Sequence, residues 1–195
     1  MAWHSIVYQT ARNRAGLPAR FAWILLGLCS QAVQPAFAEP GASIPAHNRP
    51  DQPQPPERPA AADVEDKIRK LFDAIVADDP RRAADSFFPR AAFLLVKDMR
   101  DPGQYYDRLR ARFDADIHAL HRALPGVEHA QYERFELARR GGFVWPKQEG
   151  NRLPYWASRH SLLHFRIGKT LQHLEVRVLI SWDAHWYVIH LSEFH

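Results

Sequence analysis

Four polar side chains draw attention by where they fall: Arg159, Ser161, His190 and Ser192. Each interrupts the more apolar face of a run of strands that closes the chain. Polar groups on the core side of a sheet are costly unless they are paired or wet. A guanidinium, an imidazole and two hydroxyls there can line a pocket for a small ligand. Arg159 would give charge-assisted bonds to an anion or a carbonyl, with His190 as a neutral donor or acceptor and the two serines beside it. An imidazole that titrates near neutral pH is also a workable general base. The plainer alternative pairs Arg159 with an acid at the sheet edge and leaves His190 as a hydrogen-bonded core histidine.

Other constellations are weaker. Asp114, His118 and His121 share one flank of a helix at i, i+4 and i+7, a spacing a metal could use. They also read as a solvated flank. His164 and His173 face each other across a hairpin, close enough for two imidazoles to chelate an ion, but exposed histidine pairs are commoner than sites. No Gly-rich phosphate loop, G-x-S-x-G elbow or H-E-x-x-H stands in the chain. No metal and no cofactor is therefore assigned, and no catalytic residue is named. The single cysteine, Cys29, lies in the N-terminal segment. Without that segment the chain has no thiol for a disulfide, a nucleophile or zinc.

The strands that position the four residues are read as Trp156–Ile167, Thr170–Trp182 and Trp186–Phe194. Gly168-Lys169 is a two-residue turn with Gly first, the pattern of a type II′ hairpin. It sets His164 opposite His173, Leu163 opposite Leu174 and His160 opposite Arg177. Asp183-Ala184-His185 is read as a three-residue loop that pairs Trp182 with Trp186. One face then carries Leu163, Phe165, Leu174, Val176, Val178, Ile180, Trp182, Trp186, Val188 and Phe194. Arg159, Val178 and His190 form one row across it, and Ser161, Val176 and Ser192 the next. The other face mixes His160, His164, His173, Glu175 and Arg177 with Trp156, Leu162, Leu179, Ile189 and Leu191. A two- or four-residue loop at 183–185 would move His190 to that face.

Three helical stretches precede the sheet. Val64, Ile68, Leu71, Phe72 and Ile75 form one stripe after a cap at Asp63. Asp79-Pro80 starts a short helix with Ala84, Phe87 and Phe88 inside. Asp101-Pro102 opens the longest, with Tyr106, Leu109, Phe113, Ile117, Leu120 and Leu124 on one line until Pro125-Gly126. Between the last two, Ala91–Lys97 reads as a buried strand. Tyr132–Ala138 alternates as a strand, and Phe143–Trp145 is a short one.

Arg12, Arg14 and Arg20 precede an apolar run, Phe21–Cys29, and a small-x-small site at Ala36-Phe37-Ala38. This is the order of a secretory signal peptide, too short for the ~20 residues of a membrane-spanning helix. Residues 1–38 are assigned to it, leaving no transmembrane segment after cleavage and a periplasmic or secreted protein. Residues 39–62 hold seven prolines among polar and small residues and read as a disordered tether. Residues 63–195 form the folded domain. Removing the three N-terminal arginines from 26 Lys and Arg leaves 23 against 22 acids. Cations and anions are interspersed, which gives nucleic acid no basic stripe. The chain is 46% hydrophobic with eleven Phe and six Trp, enough for a real core.

Helix, short helix, strand, long helix and antiparallel strands in that order resemble the NTF2-like (SnoaL-like) superfamily. Trp186-Tyr187-Val188-Ile189-His190-Leu191 is similar to its final strand. The resemblance implies an α+β cone in which three N-terminal helices pack on a curved antiparallel sheet, with a pocket between them and a homodimer through the outer sheet face. That superfamily hosts isomerases, cyclases and dehydratases as well as non-catalytic binding and assembly domains, so fold alone does not choose. Its isomerases use a carboxylate base with Tyr or acid donors. Glu175 falls on the outer face, and Asp98 and Asp101, beside Tyr105, also read as a turn and a cap. No base is placed. The expected function is non-catalytic binding of a small ligand or protein partner. The alternatives are an isomerase, cyclase or dehydratase with His190 as base, and an envelope assembly subunit.

Overall fold

The computed structural model describes residues 43–192. The signal segment over 1–38 and the position of Phe194 lie outside the described residues. Helices α1 (Ala62–Val76), α2 (Arg90–Val96) and α3 (Pro102–Ala123) come first, with a 3-10 segment, Pro80–Ser86, between α1 and α2. Strands β1 (Gln131–Glu136), β2 (Gly141–Val144), β3 (Tyr155–Ile167), β4 (Thr170–Trp182) and β5 (His185–His190) follow. They form one antiparallel sheet in the order β1-β3-β4-β5, with β2 also paired to β3. The fold is α+β. Among the described residues no helix is long and apolar enough to cross a membrane.

The stripe Val64, Ile68, Leu71, Phe72 and Ile75 makes α1 a core helix, and every member is buried. The helix touches both edge strands, β1 and β5, and Phe72 packs its ring on Tyr132 and Phe165. In α3, Leu109, Phe113 and Ile117 are buried while Tyr106 and Leu120, with Leu124 just past its end, pack at the margin. Asp101 caps it by accepting the Gln104 N–H at 2.9 Å.

Two local expectations are corrected. Ala91–Lys97 is helical, as α2, and not a strand. Its buried residues Ala92, Phe93 and Val96 stand at i, i+1 and i+4, which is helical spacing, and Pro89 occupies the N-cap with extended backbone. The stretch after Asp79-Pro80 is 3-10, and there Ala83 is buried while Ala84 is exposed. Phe87 and Phe88 are buried beyond its end, where Phe87 bridges Val188 of β5 in parallel.

The β3–β4 register is the expected one, from Ile167 opposite Thr170 to Arg159 opposite Val178. At the next turn the three-residue loop is corrected to two residues. Asp183 and Ala184 both adopt left-handed φ, 50° and 61°, and Trp182 pairs with His185. This is the backbone of a type I′ turn, whose twist matches that of a hairpin. Trp186 therefore stands opposite Ser181 and Val188 opposite Leu179, so neither shares the face of Trp182 and Ile180. The register then shifts between Leu179 and Val178, and His190 falls opposite Val178. A bulge carries one unpaired residue. Turn and bulge each displace the register by one, and their effects cancel at His190.

The Pro-rich segment is tied down at Asn48, Pro56, Arg58 and Pro59, unlike a free tether. Asn48, fully buried, donates to the Pro154 carbonyl at 2.8 Å and accepts the Asp183 N–H at 3.0 Å. The Trp156 indole donates to the Pro56 carbonyl at 3.1 Å, and the Trp186 indole to the Pro59 carbonyl at 2.9 Å. Arg58 donates to the Ala138 carbonyl at 2.7 Å. Prolines lack a donor but keep their carbonyls, which suits a strap laid across indole N–H groups.

Candidate functional site

The row Arg159–Val178–His190 spans β3, β4 and β5 as expected. It faces a cavity of about 80 Å³ closed by residues of α2, α3 and the loop before β3. Phe93, Leu109, Val178, Ile180 and Ile189 make its walls apolar, and the polar groups converge from separate elements.

The α2 C-terminus and the loop after β2 supply two of them. Lys97 bridges Asn151, the Asp98 N–H donates to the Gly150 carbonyl at 2.8 Å, and the Arg152 N–H donates to the Val96 carbonyl at 2.7 Å. The Arg152 guanidinium also donates to the Leu94 and Lys97 carbonyls. These bonds bring Lys97 and Glu149 to the same cavity, and Lys97 Nζ donates to the Glu149 carbonyl at 3.4 Å. Glu149 holds a left-handed φ of 49°.

The Glu149 carboxylate organises the far wall. Its Oε1 accepts from Arg159 Nη2 at 2.6 Å and its Oε2 from the Tyr155 hydroxyl at 3.2 Å. Asn151 Nδ2 donates to the same Tyr155 oxygen at 2.7 Å. Burial, reinforced by the Glu149 charge, raises the Tyr155 pKa, so the phenol stays protonated.

His190 is depressed to a pKa of about 4, first by burial and then by the Lys97 and Arg159 charges, with Asp116 acting in the opposite sense. Its ring is therefore neutral at neutral pH, one nitrogen a donor and the other an acceptor. Lys97 is also lowered, first by burial, against the opposing pull of Glu149. Among the described residues no carboxylate oxygen lies within ion-pair distance of Lys97. The cavity thus holds two cations, one carboxylate and a neutral imidazole.

Behind His190 a second hollow of about 460 Å³ opens between α3 and the end of β5. It shares Tyr105, Leu109, Ile189 and His190 with the first. Ser192 lines this hollow, donating to Asp116 at 2.7 Å, and Asp116 is paired with Arg112 at 3.1 Å.

Of the four expected residues, Arg159 and His190 share the inner cavity and Ser192 lies in its neighbour. Ser161 lines neither of these hollows. It is fully buried, accepts the Ala138 N–H at 3.1 Å and meets Ser158 Oγ at 3.0 Å, which ties the chain beyond β1 to β3. Sequence reasoning missed Lys97, Glu149 and Tyr155. Only Lys97 carried a signal, as the charge that ends an apolar run. The paired alternative for Arg159 is realised through Glu149, in the cavity wall.

The other constellations resolve into local contacts. His118 meets Asp78 at 2.6 Å, His121 the Ile75 carbonyl at 2.9 Å, and Asp114 pairs with Arg110. The His164 and His173 rings lie 5.9 Å apart between centroids. Among the described residues no group of three His, Cys, Asp or Glu is arranged to hold a metal. Glu175 is engaged with His160 and Arg177, and Asp98 is exposed.

Comparison with protein-family models, with curated proteins and with solved structures gives no match.

Proposed function

We propose that this chain is an exported domain of the NTF2-like type that binds a small ligand without transforming it, in the cavity on the Arg159–Val178–His190 row. One observation carries the reading. Two cations, one carboxylate and a neutral imidazole converge on one apolar-walled cavity, where the partly desolvated Lys97 ammonium is costly without a partner. An occupant that accepts hydrogen bonds would offset that cost, with His190 and Tyr155 as further polar contacts.

A catalytic role with His190 as base is the weaker alternative. A base depressed to a pKa of about 4 takes a proton poorly at neutral pH. A homodimer through the outer sheet face has a narrower basis than the sequence suggested, because Leu179, Ile189 and Leu191 are buried within the protomer.

The test is to fill the cavity. Val178→Trp places an indole in the middle of the row. A ligand-observed NMR screen of small carboxylates, amides and alcohols should give hits with the native protein that vanish in this variant, while circular dichroism stays native. Val178→Leu, a smaller filling, should weaken the same hits if the larger variant misfolds. Hits that survive both substitutions would remove the site from consideration.

A further inference from the structure

The two hollows differ in kind, and their junction says what would fit them together. The inner one, about 80 Å³, has room for roughly two to three water molecules. That suits a head group and not a whole ligand. The outer one, about 460 Å³, falls within the ~300–1,000 Å³ of ordinary small-molecule sites. Leu109, Phe113, Ile189 and Leu191 supply its apolar wall. Tyr105, Leu109, Ile189 and His190 border both, so the hollows adjoin, and a molecule that reached past His190 would occupy the two at once.

Charge selects the head group. Arg159 is already held by Glu149 at 2.6 Å, and Arg112 by Asp116 at 3.1 Å. Among the described residues the Lys97 ammonium donates only to the Glu149 carbonyl, at 3.4 Å. Among the described residues the inner cavity therefore has one more cation than anion, and the excess lies at Lys97. Burial is the first cause of the depressed His190 pKa, and the Lys97 and Arg159 charges add to it against Asp116.

We infer that the ligand is an amphipathic monocarboxylate, its carboxylate in the inner cavity against Lys97 and its apolar tail in the hollow between α3 and β5. This rests on the pocket proposed above and adds the class of its occupant. The carboxylate would accept from the Lys97 ammonium and replace water that the half-buried ammonium otherwise loses. His190, neutral, borders the space between the two hollows. The tail would leave water along Leu109 and Ile189.

Calorimetric titration of the native protein at pH 7 with decanoate, decanol, decyltrimethylammonium and acetate tests this, all below micelle formation. Decanoate should bind at least about tenfold tighter than decanol, the margin of one well-made charged contact. Acetate should bind far more weakly for want of a tail. Lys97→Met should abolish the preference for decanoate over decanol while decanol still binds, and Lys97→Arg should restore much of it. Decanol equal to decanoate would overturn the carboxylate and leave the pocket standing. Arg108 is exposed at the rim of the outer hollow; loss of the preference in Arg108→Gln but not in Lys97→Met would place the head group there and overturn the inner site. Absence of binding by every amphiphile would overturn both the ligand class and the pocket.

Discussion

Acidification should destabilise the domain through His190, and substituting that residue should remove the effect. The ring has a pKa of about 4 in the fold, against about 6.5 in an unfolded chain. Above pH 6.5 the ring is neutral in both states and contributes no pH dependence. Between 6.5 and 4 the unfolded chain takes up a proton that the folded ring refuses, so stability falls as pH falls and levels off below the folded value. At pH 5 the two pKa values correspond to a loss of about 2 kcal/mol. The ring is only partly buried, and screening brings the expected loss to about 1–2 kcal/mol. Urea unfolding followed by tryptophan fluorescence at pH 7, 6 and 5 measures it, comparing the native protein with His190→Gln. Other histidines are common to both proteins and cancel in the difference. The native protein should lose about 1–2 kcal/mol more than the variant between pH 7 and 5. Parallel pH profiles would show that His190 titrates normally, against the burial and the Lys97 and Arg159 charges that hold it down.

The remaining predictions concern neighbouring parts of the account. Lys97→Met removes one of the charges opposing His190 protonation, so the His190 pKa should rise towards its ordinary value in an NMR titration. Asn48→Ala deletes both bonds that fix the strap to Pro154 and Asp183. It should destabilise the protein by about 2–3 kcal/mol in chemical denaturation. Ala184→Gly relieves a left-handed Ala, φ 61°, in a turn that favours Gly, and should stabilise by about 1 kcal/mol in the same assay. Light scattering across a concentration series tests the homodimer, which should persist at low concentration if the outer face makes it.

Legibility followed the range of the interactions. The Gly168-Lys169 turn made the β3–β4 register readable, because a tight turn fixes every pair up to Arg159 and Val178. The helical stripes of α1 and α3 were readable for the same reason, since periodicity is local. His190 was placed in its row through a three-residue turn that does not exist. The Asp-Ala pair carries no Gly to announce a type I′ turn, and nothing nearby marks the compensating bulge. The seven residues of α2 are too few for period to separate a buried helix from a buried strand. The strap was misjudged because composition measures how little a segment can bury, and not whether its carbonyls have indole donors waiting. Glu149 and Tyr155 owe their positions to bonds between the α2 C-terminus and a loop more than fifty residues away, which no local pattern encodes.

The central claim is that the row across β3, β4 and β5 lines a pocket with an occupant. Its most direct test is a decanoate titration of protein labelled on Ile, Leu and Val methyl groups, read by NMR. The methyls of Val178, Ile180, Leu109 and Ile189, which line the two hollows, should shift together and saturate at one common ligand concentration. Shifts confined to methyls outside them, such as exposed Leu171, or no shift at saturating ligand, would contradict the account.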